Sequence, residues 1–142
     1  MLQVAFIRDH KEAVLEGLAK RNLKDAENLI DKTLAADEAR RRIQAELDAT
    51  LAESNKMSKE IGLLFRSGER AKAELLKEKT VQLKDASKKL GEDLQQKALE
   101  LQELLYTIPN IPNKLVPAGN SDEDNETVYE EGTIPTLHDG AL

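Results

Sequence analysis

Two long stretches without proline, Ala26–Arg66 and Arg70–Tyr106, limit what this chain can fold into more than any other feature. Each contains a single glycine and consists largely of Ala, Leu, Glu, Lys, Gln and Arg, the residues that lose least free energy on entering a helix. As helices they would extend roughly 55–60 Å, at about 1.5 Å per residue. Residues 67–69, which include Gly68, separate the two stretches, so we predict a tight reversal there.

Seam positions in both stretches recur alternately every four and three residues, which is the 3.5-residue repeat of a coiled coil. The first stretch contributes Ile43, Leu47, Thr50, Ser54, Met57, Ile61 and Leu64, and the second contributes Leu76, Thr80, Leu83, Ser87, Leu90, Leu94, Lys97, Leu101, Leu104 and Ile108. Because the connection is short, the two helices must be antiparallel. The hydroxyl residues among these positions predict a weakly packed layer in mid-hairpin. An ordinary helical bundle is less favoured, because nothing else in the chain could cover such long helices.

We therefore predict an all-α fold, a long antiparallel two-helix coiled-coil hairpin over about 26–106 with its tip at about 66–70. A short N-terminal helix, capped by Asp9 with Glu12 and ended near Asn22, should pack at the base of the hairpin. Asp25 should cap the first long helix. We predict that the chain divides into a helical domain at 1–108 and an irregular linker at 109–142, which contains one short strand near 127–129.

Composition narrows the classes of protein further. Aromatic residues make up 3% of the 142 residues and charged residues 34%, which suits a narrow apolar seam with solvated flanks. The absence of cysteine excludes a disulfide framework, a thiolate metal site and a cysteine nucleophile. The apolar N-terminus is too short for a signal peptide, and no apolar run approaches the length of a membrane span. We expect a soluble, cytoplasmic protein with no membrane partner.

Charge is unevenly distributed, although the net charge is −6. Residues 1–55 carry 9 basic and 11 acidic side chains, and residues 90–142 carry 2 basic and 11 acidic ones. Residues 56–89, the distal half of the hairpin, carry 10 basic and 5 acidic side chains, a net charge of +5. The only positive region of this acidic chain is therefore the far end of the predicted hairpin.

The seam register places these charges on two different flanks. On one flank, Glu53 and Glu60 should pair with Lys72 and Lys79, contacts worth well under about 1 kcal/mol each. The opposite flank of the second helix carries cations every seven residues, about 10 Å apart, and it faces positions of the first helix that include no acid. The cations on and around this flank that we predict to bind a phosphate backbone are Arg70, Lys77, Lys84, Lys88, Lys56, Lys59 and Arg66.

Two other interpretations of this region stay open. A row of lysines can be a solvated helix face, and the residues Leu63, Leu64 and Phe65 near the tip give some support to a coiled-coil module that binds proteins or acts like a chaperone. Phe65 could stack on an exposed base, although we favour a packing role that closes the tip. Charge reversal of Arg70, Lys77 and Lys84 distinguishes these interpretations, because only RNA binding requires that the reversal cause a large loss of affinity.

Catalytic chemistry is not predicted in this chain. His10 and His138 lie in unrelated contexts, and residues 122–125 lack the sixth-position glycine and the closing spacing of a calcium loop. No phosphate-binding glycine loop or nucleophile motif is found. We expect no metal and no cofactor in this chain, and no activity of the chain alone.

A series of motifs then resembles the N-terminal region of bacterial seryl-tRNA synthetases. In chain order they are Phe6-Ile7-Arg8, Gly17-Leu18-Ala19-Lys20-Arg21, Asp37-Glu38-Ala39-Arg40-Arg41, Gln44-Ala45-Glu46-Leu47 and Asn55-Lys56-Met57-Ser58-Lys59-Glu60-Ile61-Gly62. The most specific are Ile108-Pro109-Asn110-Ile111-Pro112, Val116-Pro117-Ala118-Gly119 and Asp124-Asn125. One departure is Glu131 before Gly132, where this family often has Trp-Gly.

This resemblance implies that the hairpin is the arm that grips the long variable arm and elbow of tRNA-Ser. It also implies a homodimeric parent enzyme that activates serine with ATP and Mg²⁺ and transfers it to the tRNA 3′ end. The class II catalytic motifs of that family would lie beyond Leu142, so no serine, ATP or metal residue is assigned here.

Overall fold

The computed structural model describes residues 2–119 and 121–133, and four α-helices account for most of this part of the chain. Helix α1 spans Val4–Asp9, α2 spans Lys11–Ala19, α3 spans Ala26–Arg66 and α4 spans Arg70–Thr107. A short 3-10 turn, Asp122–Asp124, follows in the linker. Helices α3 and α4 contain 41 and 38 residues, so each is about 57–62 Å long. The all-α hairpin prediction is confirmed.

Every predicted seam position is buried or half-buried, which confirms the coiled-coil register. In mid-hairpin several seam side chains are small and polar, and the hydroxyls of Thr50, Thr80 and Ser87 bond within their own helix. The Thr50 hydroxyl donates to the Glu46 carbonyl at 2.8 Å, and the Thr80 hydroxyl donates to the Leu76 carbonyl at 2.9 Å. Since these hydroxyls bond locally, they add no hydrogen bond between α3 and α4.

The reversal between α3 and α4 depends on Gly68, whose φ of +81° lies in the left-handed region. The Glu69 N–H donates to the Leu64 carbonyl at 3.0 Å and the Gly68 N–H donates to the Phe65 carbonyl at 3.4 Å. These are the bonds of a glycine-terminated helix end, which satisfy the last carbonyls of α3.

The three hairpin glycines should respond differently to alanine. Gly62 and Gly91 are helical, and a Cβ at either would meet nothing within 4 Å. Gly62→Ala and Gly91→Ala should therefore each raise the free energy of unfolding by about 0.5–1 kcal/mol. Gly68→Ala should lower it by about 1 kcal/mol, because alanine disfavours a positive φ. Urea unfolding followed by circular dichroism measures all three, and a stabilising Gly68→Ala would contradict this account of the reversal.

The core lies at the base of the hairpin, where α1 and α2 pack against the start of α3 and the end of α4. Its fully buried side chains include Ile7, Val14, Leu18 and Ile30, and Leu101 and Leu105 of α4 complete it. The prediction that an N-terminal helical segment covers the base is confirmed. The segment consists of two helices rather than one, because burying Ile7 draws the predicted apolar lead into a helix of its own.

Local capping was predicted less accurately than packing. Asp9 is the last residue of α1, so its predicted role as the cap of the next helix is wrong, and His10 begins α2 without a side-chain cap bond. Asp25 does precede α3, but its carboxylate accepts from the Asn28 side chain at 2.9 Å and bonds no backbone N–H of the helix. Asn22 closes α2 with a φ of 53°, as predicted.

The strand predicted near 127–129 is wrong, because these residues form no regular secondary structure and their side chains are exposed. An isolated extended segment has no neighbouring strand to accept its backbone hydrogen bonds. Residues 134–142 of the predicted linker, including His138, lie outside the described residues.

An ion-pair cluster around the buried Asp37 connects α1 to α3. The Asp37 side chain is 1% exposed, its carboxylate accepts hydrogen bonds from Arg8 at 3.1 Å and Arg40 at 3.0 Å, and it forms an ion pair with Arg41 at 3.2 Å. Arg8 belongs to α1, whereas Arg40 and Arg41 lie three and four residues after Asp37 on α3. A buried carboxylate needs such partners, so this cluster fixes the position of α1 on the hairpin.

Candidate nucleic-acid interface

Residues 56–89, here called the distal arm, project their cations into solvent. All ten basic side chains of the distal arm are exposed. Within residues 2–119 and 121–133, ion pairs engage two of them, Lys72 with Glu69 at 2.5 Å and Lys77 with Glu74 at 3.9 Å. The eight without an ion pair in this range are Lys56, Lys59, Arg66, Arg70, Lys79, Lys84, Lys88 and Lys89. Most of the positive charge at the end of the hairpin therefore has no ion-pair partner among the described residues.

The cross-helix pairs predicted on the first flank are not formed. Glu53 and Glu60 make no ion pair in the described part of the chain, and Lys72 instead pairs with Glu69 of its own helix. This hydrogen bond, with the negative charge of Glu69, raises the pKa of Lys72 above its ordinary value. Glu60 and the two lysines line one shallow groove together with Leu64, Leu75 and Leu76. A partner one turn away costs less side-chain ordering than one across the groove.

The predicted row on the other flank lies along α4. Arg70, Lys77 and Lys84 are exposed and follow one another at seven-residue intervals, about 10 Å apart, and Lys88 extends the row by one turn. Among the described residues, Lys77 is the member of this row that forms an ion pair, and its partner is Glu74 of its own helix. Both side chains are more than 60% exposed and 3.9 Å apart, so this contact is weak.

The remaining predicted cations belong to α3 and occupy other sides of the hairpin. Lys59 and Arg66 follow flank positions by one residue, so the register places them on the outer side of α3. Lys56 precedes the seam residue Met57, on the side that carries the glutamates. The seven predicted residues therefore surround the distal arm, and four of them form one continuous row.

Exposed apolar side chains accompany the cations. Phe65 is 44% exposed, so the packing role we favoured for it covers only part of the ring. Leu63 and Leu75 are 63% and 64% exposed. Sequence reasoning did not single out Leu75, although the coiled-coil register, which puts it outside the seam, was the signal that could have found it.

The part of the chain that the structure describes offers neither a membrane-spanning helix nor a metal site. No helix among the described residues combines the length and the apolar character needed to cross a membrane. Residues 2–119 and 121–133 contain no group of three or more His, Asp or Glu side chains placed to hold a metal ion. In the 3-10 turn, the Asp124 carboxylate accepts from the Ser121 N–H at 3.2 Å, which gives this acidic segment a local structural role.

Known proteins similar to this chain are consistent with this geometry. The serine–tRNA ligase of Mesorhizobium japonicum is 36% identical over 140 residues, covering 96% of this chain and 32% of the relative. The serine–tRNA ligase of Oleidesulfovibrio alaskensis is 36% identical over 139 residues, covering 96% of this chain and 31% of the relative. The chain thus spans about a third of the length of the curated relatives it matches.

A solved structure shows the same architecture. The crystal structure of seryl-tRNA synthetase from Pyrococcus horikoshii complexed with ATP matches with a TM-score of 0.78 and 27% identity, over 87% of this chain and 27% of that one. The sequence model described as the seryl-tRNA synthetase N-terminal domain matches residues 1–112, which include all four helices. This chain therefore belongs to the seryl-tRNA synthetase N-terminal domain family.

Proposed function

We propose that this chain is the tRNA-binding arm of a serine–tRNA ligase and that its distal arm holds the long variable arm and elbow of tRNA-Ser. The observation that carries this proposal is the exposed and largely unpaired positive charge of the distal arm, which is the one positive region in the sequence of an acidic chain. Similarity to serine–tRNA ligases supports the identity of the ligand. A cationic rod suits folded RNA, because paired RNA is recognised mainly by shape and by its phosphates and 2′-hydroxyls.

The residues proposed to contact the RNA backbone are Lys56, Lys59, Arg66, Arg70, Lys77, Lys84 and Lys88. Lysine and arginine at a phosphate release condensed counterions, so their contribution is large at low salt and independent of base sequence. The α4 row should contribute most, because its members can contact one continuous stretch of backbone. Lys56 should contribute least, because Glu53 and Glu60 lie on its side of the hairpin.

The chemistry is proposed to belong to a longer parent protein. In this proposal residues 1–108 form the arm domain, residues 109–142 lead towards a catalytic domain, and the chain alone does not attach serine. The parent would activate serine with ATP and Mg²⁺, transfer it to the 3′ end of tRNA-Ser, and function as a homodimer in the cytoplasm. Support comes from relatives about three times as long that are serine–tRNA ligases.

A salt-titrated binding assay tests the proposal. The chain should bind tRNA-Ser more tightly than a tRNA with a short variable arm, and the affinity should fall steeply with salt. If all seven cations contact phosphates, the plot of log K against log salt should have a slope of about −5 to −6. Equal binding of the two tRNAs, or affinity unaffected by salt, would overturn the assignment of tRNA-Ser as the ligand.

The exposed leucines favour a second candidate, a coiled-coil module that binds a protein partner or acts like a chaperone. Leu63 and Leu75 present apolar surface close to the tip. This candidate predicts that Leu63→Ser and Leu75→Ser abolish partner binding, while neutralising the cations has little effect. Retained tRNA binding by this double serine variant would favour the RNA interpretation.

A further inference from the structure

The end of α2 contacts the linker in a way that the RNA-binding proposal does not use. The Lys20 Nζ donates to the carbonyl oxygens of Lys114 at 3.1 Å and Val116 at 2.9 Å. The next residue, Arg21, donates from Nη1 to the Asn110 carbonyl oxygen at 2.6 Å. Two adjacent cations thus bind backbone groups spread over seven residues of linker, about 90 positions away in the sequence.

A close approach of the backbones accompanies these bonds. A Cβ built on Gly17 would lie 2.7 Å from the Ile111 Cβ and 2.8 Å from its Cγ2, distances that no side chain tolerates. Gly17 therefore gives α2 the flat surface on which Ile111 rests, and Ile111 packs in turn against the core at the base. The apolar contact and the three charge-assisted bonds hold the same short segment.

The linker has little structure of its own to fix its path. Between residues 110 and 119, the recorded internal bonds are Val116 N–H to the Asn113 carbonyl at 3.0 Å and Leu115 N–H to the Asn113 side chain at 3.0 Å. Pro112 and Pro117 restrict φ and remove donors, but they do not choose a direction for the segment. That direction must come from the surface to which the linker is bound.

We propose that α2 and the two residues that follow it form a positioning clamp, in which Gly17, Lys20 and Arg21 hold residues 110–116 and so fix the direction in which the chain leaves the hairpin. Val14 and Leu18 anchor α2 in the core, so the clamp moves with the base as one body. The orientation of the distal arm relative to the chain after residue 119 is then set by α2. This inference does not depend on RNA binding.

Distance measurements between two spin labels test the clamp. Because the chain has no cysteine, Leu99→Cys on α4 and Glu123→Cys in the 3-10 turn would be the only labelling sites. The otherwise unaltered chain should give one narrow distance distribution. Lys20→Met with Arg21→Met should at least double its width, because both sets of carbonyl bonds are lost. A broad distribution before these changes, or an unchanged width after them, would overturn the clamp.

Matched variants separate the clamp from general effects. Lys24→Met with Lys32→Met removes two exposed base lysines and should leave the distribution narrow. Gly17→Ala should broaden it although alanine favours the helix, because its Cβ displaces Ile111. Circular dichroism should show unchanged helix content in each variant. All variants should bind tRNA as the unaltered chain does, so failure of the clamp and failure of the RNA proposal give different results.

Discussion

Changing Arg70, Lys77 and Lys84 together to glutamate should lower the affinity for tRNA-Ser by at least on the order of 100-fold. A unit charge about 4 Å from a phosphate in water contributes about 1 kcal/mol, so losing three attractions costs about 3 kcal/mol before repulsion is added. The corresponding glutamine variant should make the slope of log K against log salt shallower by about 3. Fluorescence anisotropy with labelled tRNA-Ser across a salt series measures both effects.

The control variant changes the net charge of the chain by the same amount, but at the base of the hairpin. Lys24, Lys32 and Lys114 are exposed at the base, and converting all three to glutamate should alter affinity only through long-range screening. If this base variant loses as much affinity as the distal one, the net charge of the chain governs binding and the α4 row does not. If neither variant loses affinity, the distal cations do not bind tRNA-Ser and the protein-binding alternative is favoured.

Replacing Asp37 with asparagine should lower the free energy of unfolding by about 2–4 kcal/mol. The buried carboxylate accepts hydrogen bonds from Arg8 and Arg40 and forms an ion pair with Arg41, and hydrogen bonds to charged groups contribute about 1.5–3 kcal/mol each. The loss is smaller than the sum of these contributions, because the arginine side chains are partly exposed and can hydrogen-bond to water once the carboxylate is removed. Urea unfolding followed by circular dichroism measures the change. In the Asp37→Asn variant, hydrogen exchange should also show that the backbone amides of α1 lose more protection than those of the distal arm.

Two comparisons sharpen this result. Asp48→Asn changes an exposed aspartate on the same helix and should stay within about 0.5 kcal/mol of the unaltered chain. A double-mutant cycle of Arg8→Met and Asp37→Asn should give a coupling energy of about 1–3 kcal/mol, because these side chains form the ion pair between α1 and α3. A coupling energy near zero would mean that Arg40 and Arg41 alone stabilise the carboxylate.

The candidate site was only partly predictable from the sequence. The positions and exposure of the distal cations follow from helical periodicity, which depends on residues three and four apart. Their partners do not, because Lys72 could pair with Glu60 across the seam or with Glu69 three residues earlier, and it pairs with Glu69.

By itself, the sequence determined the two long helices, their reversal at Gly68 and the charge of the distal arm, because these depend on local propensity and a regular repeat. Tertiary structure alone decided the break at His10, the joining of Arg8 to Asp37 and the contact of Gly17 with Ile111. Each of these needs groups far apart in the chain to meet in a buried or crowded place. No local pattern specifies which distant residues contact each other. Side-chain packing and the free-energy cost of burying a charge make that choice.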